Sequence, residues 1–129
     1  MSEISYPSES REVVCFSTIQ VQTVQDGIVN LFFGYDVYSK FIMSTPGCKN
    51  LTPANIMKQV DFLMYHKDFT IKDIPFTLVM DIGQDLEEEL NLIVEPFKGK
   101  VVFDADFIEK EMMPDIAVMM KLMVQGSAK

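Results

Sequence analysis

Two aspartates follow apolar runs in this chain, in positions where a carboxylate can bind a metal ion. The run LFFGYD ends on Asp36 and the run FTLVMD ends on Asp81. Two strands that each end on a carboxylate indicate a site, because Mg²⁺ and Mn²⁺ prefer charged oxygen ligands and phosphoryl transfer uses converging carboxylates. Glu109 and Glu111 are further acids late in the chain. We take Asp81 as the first candidate ligand and Asp36 as the candidate second one.

Other common catalytic systems find no support in the sequence. His66 is the single histidine, so a Ser-His-Asp or Cys-His nucleophile is not indicated. The chain contains neither GxxxxGK[ST] nor GxGxxG, the usual phosphate-binding fingerprints. Cys15 and Cys48 have no metal-ligand spacing and predict two reduced thiols.

The charge balance argues against a nucleic-acid partner. Nineteen acids against eleven basic residues give a net charge of -8, and Arg11 is the single arginine. Proteins that bind a phosphate backbone usually show clustered Lys and Arg, because counterion release supplies most of the affinity. No apolar run approaches the roughly 18 residues of a membrane span, and the first residues do not read as a secretory signal. We expect no membrane association and a cytoplasmic location, or a nuclear one in a eukaryote.

The apolar pattern predicts one α/β domain. Residues 1–11 are expected to be a flexible arm, 12–125 the domain and 126–129 a tail. Thr52 and Pro53 are typical of a helix start. The predicted strands are 13–24, 28–37, 40–45, 76–81 and 99–104, and the predicted helices are 53–66, 84–95 and 106–124, the last interrupted near Pro114. Pro46 and Gly47 are expected to end the third strand.

This order, β-β-β-α-β-α-β-α, resembles the catalytic core of retroviral-type integrases and insertion-sequence transposases. YDVYSKF, with Asp36, Tyr38, Ser39 and Lys40, is similar to the signature that follows the family's second strand. VMDIG, with Asp81 and Gly83, is similar to its strand-four D-N-G motif. The resemblance covers residues 13 to about 112. It implies a ribonuclease H-like fold: a five-stranded mixed sheet with helices on both faces and strand one in the middle beside strand four.

The resemblance also implies which carboxylates matter. The family's catalytic acids are an Asp on strand one, the Asp of D-N-G and a Glu on the late helix, while the acid at Asp36 is structural. Strand one of this chain offers Gln20 or Gln22 where the first Asp is expected. A glutamine carbonyl is a poor replacement for a charged carboxylate as a Mg²⁺ ligand.

The two other family positions are incomplete as well. Position 82 is Ile where Asn is usual, and the family spacing of the late Glu falls near Ile116, beyond Glu109 and Glu111. The candidate catalytic set is therefore Asp81 with Glu109 and Glu111. Mg or Mn is the expected cofactor if the site is active, and no cofactor is expected otherwise.

Three functions follow as hypotheses. The favoured one is a degenerate core from a DNA-integration or recombination protein of a mobile element, without strand-transfer activity, that acts in binding or assembly. The second is an active Mg- or Mn-dependent polynucleotidyl transferase or nuclease with a rearranged site of Asp36, Asp81 and Glu109 or Glu111. The third is an unrelated small α/β interaction protein. DNA is a partner implied by the resemblance and disfavoured by the charge.

The last predicted helix carries a separate hypothesis about partners. It has apolar residues on more than one face and is rich in methionine, a flexible side chain that suits adaptable surfaces. We expect a homodimer or protein-partner interface through its methionines, which are Met112, Met119, Met120 and Met123.

Overall fold

A five-stranded sheet organises the chain. The computed structural model describes residues 4–127, and it describes side chains as far as residue 122. The strands are β1 (Val13–Thr23), β2 (Gly27–Asp36), β3 (Ile42–Cys48), β4 (Phe76–Met80) and β5 (Gly99–Phe103). The helices are α1 (Pro53–Met64), α2 (Glu87–Val94), α3 (Ala105–Glu111) and α4 (Met113–Ser127), and short 3-10 turns at Gln84–Leu86 and Glu95–Phe97 flank α2.

The strand order is β3-β2-β1-β4-β5. β1 pairs antiparallel with β2 and parallel with β4, and β4 pairs parallel with β5. The predicted mixed sheet, with strand one in the middle beside strand four, is confirmed. Among residues 4–127, the structure contains no helix with the length and apolarity to cross a membrane.

Helices cover both faces of the sheet, as predicted. Val14 and Phe16 of β1 belong to one core, which also contains the buried faces of α1 and α2. Val13 and Cys15 belong to a second core, in which α3 and α4 supply Ile108, Met112 and Ile116. Successive residues of β1 enter opposite cores because successive side chains of a strand point to opposite faces of the sheet. The first half of β1 is therefore buried on both sides, and only its second half has the predicted half-exposed character.

β3 differs from the prediction because Pro46 and Gly47 lie inside it. β3 is an edge strand, where a missing backbone N–H is tolerated. The pairing of β2 with β3 shifts register between Asn30 and Phe32. Gly47 has a φ of 80°, and a Cβ at this position would lie 2.6 Å from the carbonyl oxygen of Asn30. Glycine is thus required for the irregular pairing.

The helix boundaries agree with the sequence signals at two places. The side chain of Thr52 accepts a hydrogen bond from the backbone N–H of Asn55 at 3.2 Å, which confirms it as the cap of α1. The late helix is divided between α3 and α4 at Met112. Pro114 lies in the first turn of α4, where its missing N–H costs no helical hydrogen bond.

The packed region begins earlier than residue 12. Arg11 is 6% exposed, and its Nη2 donates to the carbonyl of Ile74 at 2.7 Å. Glu9 forms an ion pair with Lys72 at 3.0 Å. Arg11, the last residue of the predicted arm, therefore packs against the rest of the chain. At the other end, the backbone of α4 continues to Ser127, beyond the predicted limit of 125.

Asp36 organises the end of β2. Its carboxylate accepts hydrogen bonds from the Arg11 backbone N–H at 3.1 Å, the Tyr38 backbone N–H at 3.2 Å and the Ser39 hydroxyl at 2.8 Å. The Lys40 backbone N–H donates to the Asp36 carbonyl at 2.7 Å, with Lys40 at a φ of 63°. One buried carboxylate therefore closes the β2–β3 turn and attaches the chain that leads into β1.

We expect Asp36→Ala to lower the free energy of unfolding by about 2–4 kcal/mol, because three donors lose a buried acceptor. Asp61→Ala on the exposed face of α1 is the matched control, with an expected change within about 0.5 kcal/mol. Urea unfolding followed by circular dichroism measures both. Equal effects of the two substitutions would contradict the role of Asp36.

Candidate functional site

Three polar residues lie side by side where the parallel strands end. Phe16 of β1 pairs with Met80 of β4, and Met80 pairs with Phe103 of β5. The next residues in these strands are Ser17, Asp81 and Asp104. The Asp104 backbone N–H continues the ladder by donating to the Met80 carbonyl at 3.1 Å. Ser17 and Asp104 therefore flank Asp81 on its two sides.

The Ser17 hydroxyl is the direct partner of Asp81. Its Oγ lies 2.8 Å from Oδ1 and 3.0 Å from Oδ2 of Asp81, so one hydroxyl proton is shared between the two carboxylate oxygens. Ser17 is 2% exposed and Asp81 is partly buried. Ser17 follows Cys15 by two residues and shares its side of the sheet, the side covered by α3 and α4.

The electrostatic environment disfavours charge at this site. Burial raises the pKa of Asp81; the Ser17 hydrogen bond opposes that rise, and the nearby charge of Glu109 adds to it. Burial also raises the pKa of the Cys15 thiol to about 12, helped by Glu111, Asp81 and Asp104. Cys15 therefore stays a neutral thiol at physiological pH.

The turn after β4 explains Gly83. Gly83 has a φ of 82°, a left-handed conformation that favours glycine, and it precedes the 3-10 turn at Gln84–Leu86. Its carbonyl accepts from the Leu86 backbone N–H at 2.9 Å. Ile82, at the position where the resemblance expects Asn, packs against the core formed with α1 and α2. The D-I-G segment is thus a structural turn that presents Asp81.

Glu109 and Glu111 both lie on α3, near the site but not in hydrogen-bond contact with Asp81. Glu109 is exposed, and its charge reaches Asp81 through space. Glu111 is partly buried, and its charge acts on Cys15 and Tyr35. Ile116, where the resemblance places the late acid, is fully buried in the core under α4.

The structure separates Asp36 from Asp81. β2 and β4 run in opposite directions because both neighbour β1, one antiparallel and one parallel. Asp36 pairs with Val14 near the start of β1, on the side of the sheet opposite to Ser17. The prediction that Asp36 joins Asp81 in binding a metal is wrong, because the two carboxylates lie at different ends and on different faces.

The glutamine assignment on strand one also needs correction. Gln20 pairs with Asn30 and Gln22 with Ile28, in the exposed second half of β1. Both side chains lie on the side of β1 opposite to Ser17, because they are an odd number of residues away from it. They are also at least three residues further along the strand. The β1 position beside Asp81 is Ser17, which the alternation pattern alone did not single out.

Asp104 is the second residue that the sequence analysis missed. It follows the apolar run VVF in the same way that Asp81 follows LVM, and both strands are parallel, so this repeated pattern was a usable signal. Its carboxylate is already engaged: Oδ1 accepts from the Phe107 backbone N–H at 3.0 Å and caps α3. Asp104 serves first as a helix cap.

These residues do not fit a divalent cation. Within the part of the chain that the structure describes, no group of three His, Cys, Asp or Glu side chains is arranged to hold a metal ion. Both oxygens of Asp81 face the Ser17 hydroxyl, and an oxygen of Asp104 caps a helix. The neighbour of Asp81 on β1 is thus a neutral hydroxyl that donates to it, and not a second charged oxygen ligand.

We expect Asp81→Asn to become more stable relative to the natural protein as pH rises. A raised pKa means that the folded state holds the Asp81 proton more tightly than the unfolded state does. Stability is therefore lost between the ordinary Asp pKa of about 3.9 and the raised value, and this loss persists at neutral pH. Asn carries no charge, so the Asp81→Asn variant does not lose stability in this way as pH rises. Urea unfolding of both proteins across this pH range measures the difference; a relative loss for Asp81→Asn would contradict the raised pKa.

We expect Ser17→Ala to lower the free energy of unfolding at neutral pH by about 1–2 kcal/mol, because the carboxylate loses its hydroxyl donor. The effect should shrink at pH values where Asp81 is protonated in both proteins. Carboxyl ¹³C NMR titration should show a further rise in the pKa of Asp81. Thr18→Ala, one residue along β1 on the opposite face, is the control and should leave that pKa unchanged.

Comparison with known proteins supports the fold. No protein-family profile matches the chain, and no curated protein matches it. The structure is similar to a chain in the cryo-EM structure of the simian T-cell lymphotropic virus intasome in complex with PP2A regulatory subunit B56 gamma. The TM-score is 0.61 at 12% sequence identity, over 79% of this chain and 34% of that chain.

It is also similar to the HTLV-2 integrase catalytic core domain, solved in complex with magnesium in its dimeric form. The TM-score is 0.50 at 11% identity, over 73% of this chain and 61% of that chain. This chain therefore spans about a third of the first neighbour and about three fifths of the second. At such low identity the likeness shows the fold alone: the chain has the ribonuclease H-like architecture of retroviral integrase catalytic cores.

Proposed function

We propose that this chain is a non-catalytic relative of integrase and transposase cores that acts in binding or assembly. The observation that supports this proposal is the Ser17–Asp81 contact. Ser17 stands on the central strand beside Asp81, and its hydroxyl shares a proton with both carboxylate oxygens at 2.8 and 3.0 Å. Metal-dependent phosphoryl transfer needs several converging carboxylates, and this position supplies a neutral hydroxyl instead.

The surroundings of Asp81 support the same proposal. Among the described residues, no group of three His, Cys, Asp or Glu side chains is arranged around it to hold a metal ion. The net charge of -8 leaves the chain without the basic surface that usually supports DNA binding. Strand-transfer activity and autonomous DNA binding are therefore not expected of it.

The active alternative finds no support in the geometry. It required Asp36, Asp81 and Glu109 or Glu111 to converge, and Asp36 lies on the other face of the sheet, with its carboxylate occupied by three donors. The alternative of an unrelated fold that only mimics the motifs predicted a different strand order. The observed order, with β1 beside β4, instead favours descent from an integrase-like core.

We further propose that α4 mediates association with a second copy of the chain. Three of the predicted methionines are not prominently exposed: Met112, just before α4, is fully buried, and Met119 and Met120 pack partly against the core. The prediction that Met112 contributes to an interface is wrong for this reason, and the side chain of Met123 lies outside the described residues. The exposed apolar pair is Val118 and Leu122, which are 59% and 63% exposed.

These two residues are four apart and share one exposed face of α4, whereas Ile116 of the same helix is fully buried. An exposed apolar stripe of this kind is typical of helix pairing. The dimeric form of the HTLV-2 integrase core is consistent with self-association in this fold and supports the choice of a second copy as the partner.

The function proposal is tested by adding Mn²⁺ while recording backbone amide NMR spectra. We expect no selective paramagnetic broadening around Asp81 or residues 106–112 at millimolar Mn²⁺. Ser17→Asp places a second carboxylate beside Asp81 and should produce such broadening, because two adjacent carboxylates bind a hard cation more tightly than one. Ser17→Asn has the same size without the charge and is the matched control.

Selective broadening in the natural protein at sub-millimolar Mn²⁺ would overturn the proposal and favour the active alternative. Broadening spread over the exposed acids Asp85, Glu87, Glu88 and Glu89 would report only nonspecific attraction to an acidic surface.

The association proposal is tested by light scattering during gel filtration. The natural protein should show a dimer at high concentration, and Val118→Glu with Leu122→Glu should shift it to monomer without changing the circular dichroism spectrum. Leu92→Glu, at a comparably exposed position on α2, is the control and should leave the dimer intact. A natural protein that stays monomeric at millimolar concentration would contradict this interface.

A further inference from the structure

Arg11, the single arginine of the chain, is a buried cation that lacks an ion-pair partner. It is 6% exposed, and the ion pairs found among the described residues all involve other cations. Its Nε is enclosed and has no hydrogen-bond acceptor. Buried charges are normally paired, because removing an ion from water without compensation is costly. Arg11 therefore requires an explanation that the fold alone does not give.

The protein holds this guanidinium firmly in place. Its central carbon lies 4.5 Å from the ring centre of Phe69 and 4.9 Å from that of Phe76. Nη2 donates to the Ile74 carbonyl at 2.7 Å. The backbone of Arg11 has a φ of 68°, an unfavourable conformation for a non-glycine residue, and Asp36 secures it through the Arg11 N–H. Backbone strain of this kind is found preferentially at functional sites.

A cavity of about 250 Å³ lies beside this group. Its wall includes Phe69, which stacks on the guanidinium, and Asp73, whose charge acts on it, so the guanidinium borders the cavity. The other charges in the wall have partners: Lys72 pairs with Glu9 at 3.0 Å, and Asp73 pairs with Lys98 at 3.2 Å. The unmatched charge of this cavity is positive and belongs to Arg11.

An apolar cavity of about 340 Å³ adjoins the same residues. Arg11 and Lys72 line both cavities, and the second one adds Phe41, Met43 and Ile71. Ile71 is 76% exposed and Phe41 is 50% exposed. A concave apolar wall with a few placed polar groups is the usual form of a small-molecule site. Asp36 and Asp68 also line this cavity. The Asp36 carboxylate accepts three hydrogen bonds from the chain, and its charge acts on Arg11 without forming an ion pair.

We propose that this paired cavity is a binding site for an organic carboxylate with an apolar body, the carboxylate at Arg11 and the body against Phe41 and Ile71. The rings of Phe69 and Phe76 contact each other edge to face and lie on one side of the guanidinium. The carboxylate is expected to bind in the guanidinium plane, the usual geometry of an arginine–carboxylate pair. Asp73 and the net negative charge of the chain repel a doubly charged phosphate more strongly than a singly charged carboxylate. The site lies at the opposite end of the sheet from Asp81 and is independent of the proposal made for that residue.

The test is an NMR titration of the ¹⁵N-labelled protein with sodium benzoate at constant ionic strength. We expect saturable amide shifts at Thr70, Lys72, Asp73 and Phe97, and a rise in melting temperature, because the ligand compensates the buried charge. Benzamide, a neutral molecule of the same shape, should give no saturable shift, and inorganic phosphate should bind at least roughly tenfold more weakly than benzoate.

Each departure from this pattern would overturn the proposal. Equal shifts with benzamide would show a purely apolar pocket. Phosphate binding as tight as benzoate would show a site for inorganic anions. Shifts located away from Phe41, Met43 and residues 69–73, 96 and 97 would place benzoate elsewhere.

Two substitutions test the residues. Arg11→Lys keeps the charge but loses the planar donors, and we expect roughly tenfold weaker benzoate binding. Because Arg11 is buried and this variant can fail to fold, Ile71→Glu provides the second test: it adds a negative charge at an exposed wall position and should weaken binding roughly threefold. Leu92→Glu on α2 adds the same charge elsewhere and is the control. Equal effects of the two glutamates would contradict the location.

Discussion

The parallel pairing of β1 with β4 is the constraint on which the rest of the structure depends. β1 is the central strand, and its first four residues are buried on both faces, alternating between two cores. A slip of one residue would exchange the two faces and place Val13 and Cys15 in the wrong core. The register is therefore strongly specified, and with it the position of Ser17 beside Asp81. The contact between Ser17 and Asp81 is therefore fixed by the packing of the core residues that precede Ser17 on β1.

The two aspartates that end apolar strands illustrate opposite uses of a carboxylate. Asp36 is satisfied by three donors from the chain itself, so its charge serves the fold. Asp81 has a single hydroxyl donor and is held partly buried at a cost that appears as a raised pKa. Arg11 is the reverse case, a buried charge that forms no ion pair with a carboxylate of the described residues. A group whose partner is missing is a better indicator of binding than a group that the fold has satisfied.

Much of the fold could be predicted from the sequence because its signals are local. Thr52 and Pro53 start α1, Pro114 marks the division of the late helix, and the order of elements gave the sheet its correct architecture. The structural role of Asp36 was implied correctly by its motif. The sequence did not predict the register between β1 and β4. Polar residues recur along β1, and their alternation does not indicate which of them lies beside Asp81. The burial of Met112 failed for a related reason, since a helix with apolar residues on several faces does not reveal which face packs.

The contact between Ser17 and Asp81 shows how the central strand compensates a partly buried acid. A buried acid needs a hydrogen-bond donor or a nearby cation, because burial disfavours its charged form. A serine at position 17 supplies a donor from the strand that is already beside Asp81, so the strand pairing does not have to change. The cores on either side of β1 are apolar and contain no part of this polar pair. The packing that fixes the sheet is therefore separate from the polar pair that it positions.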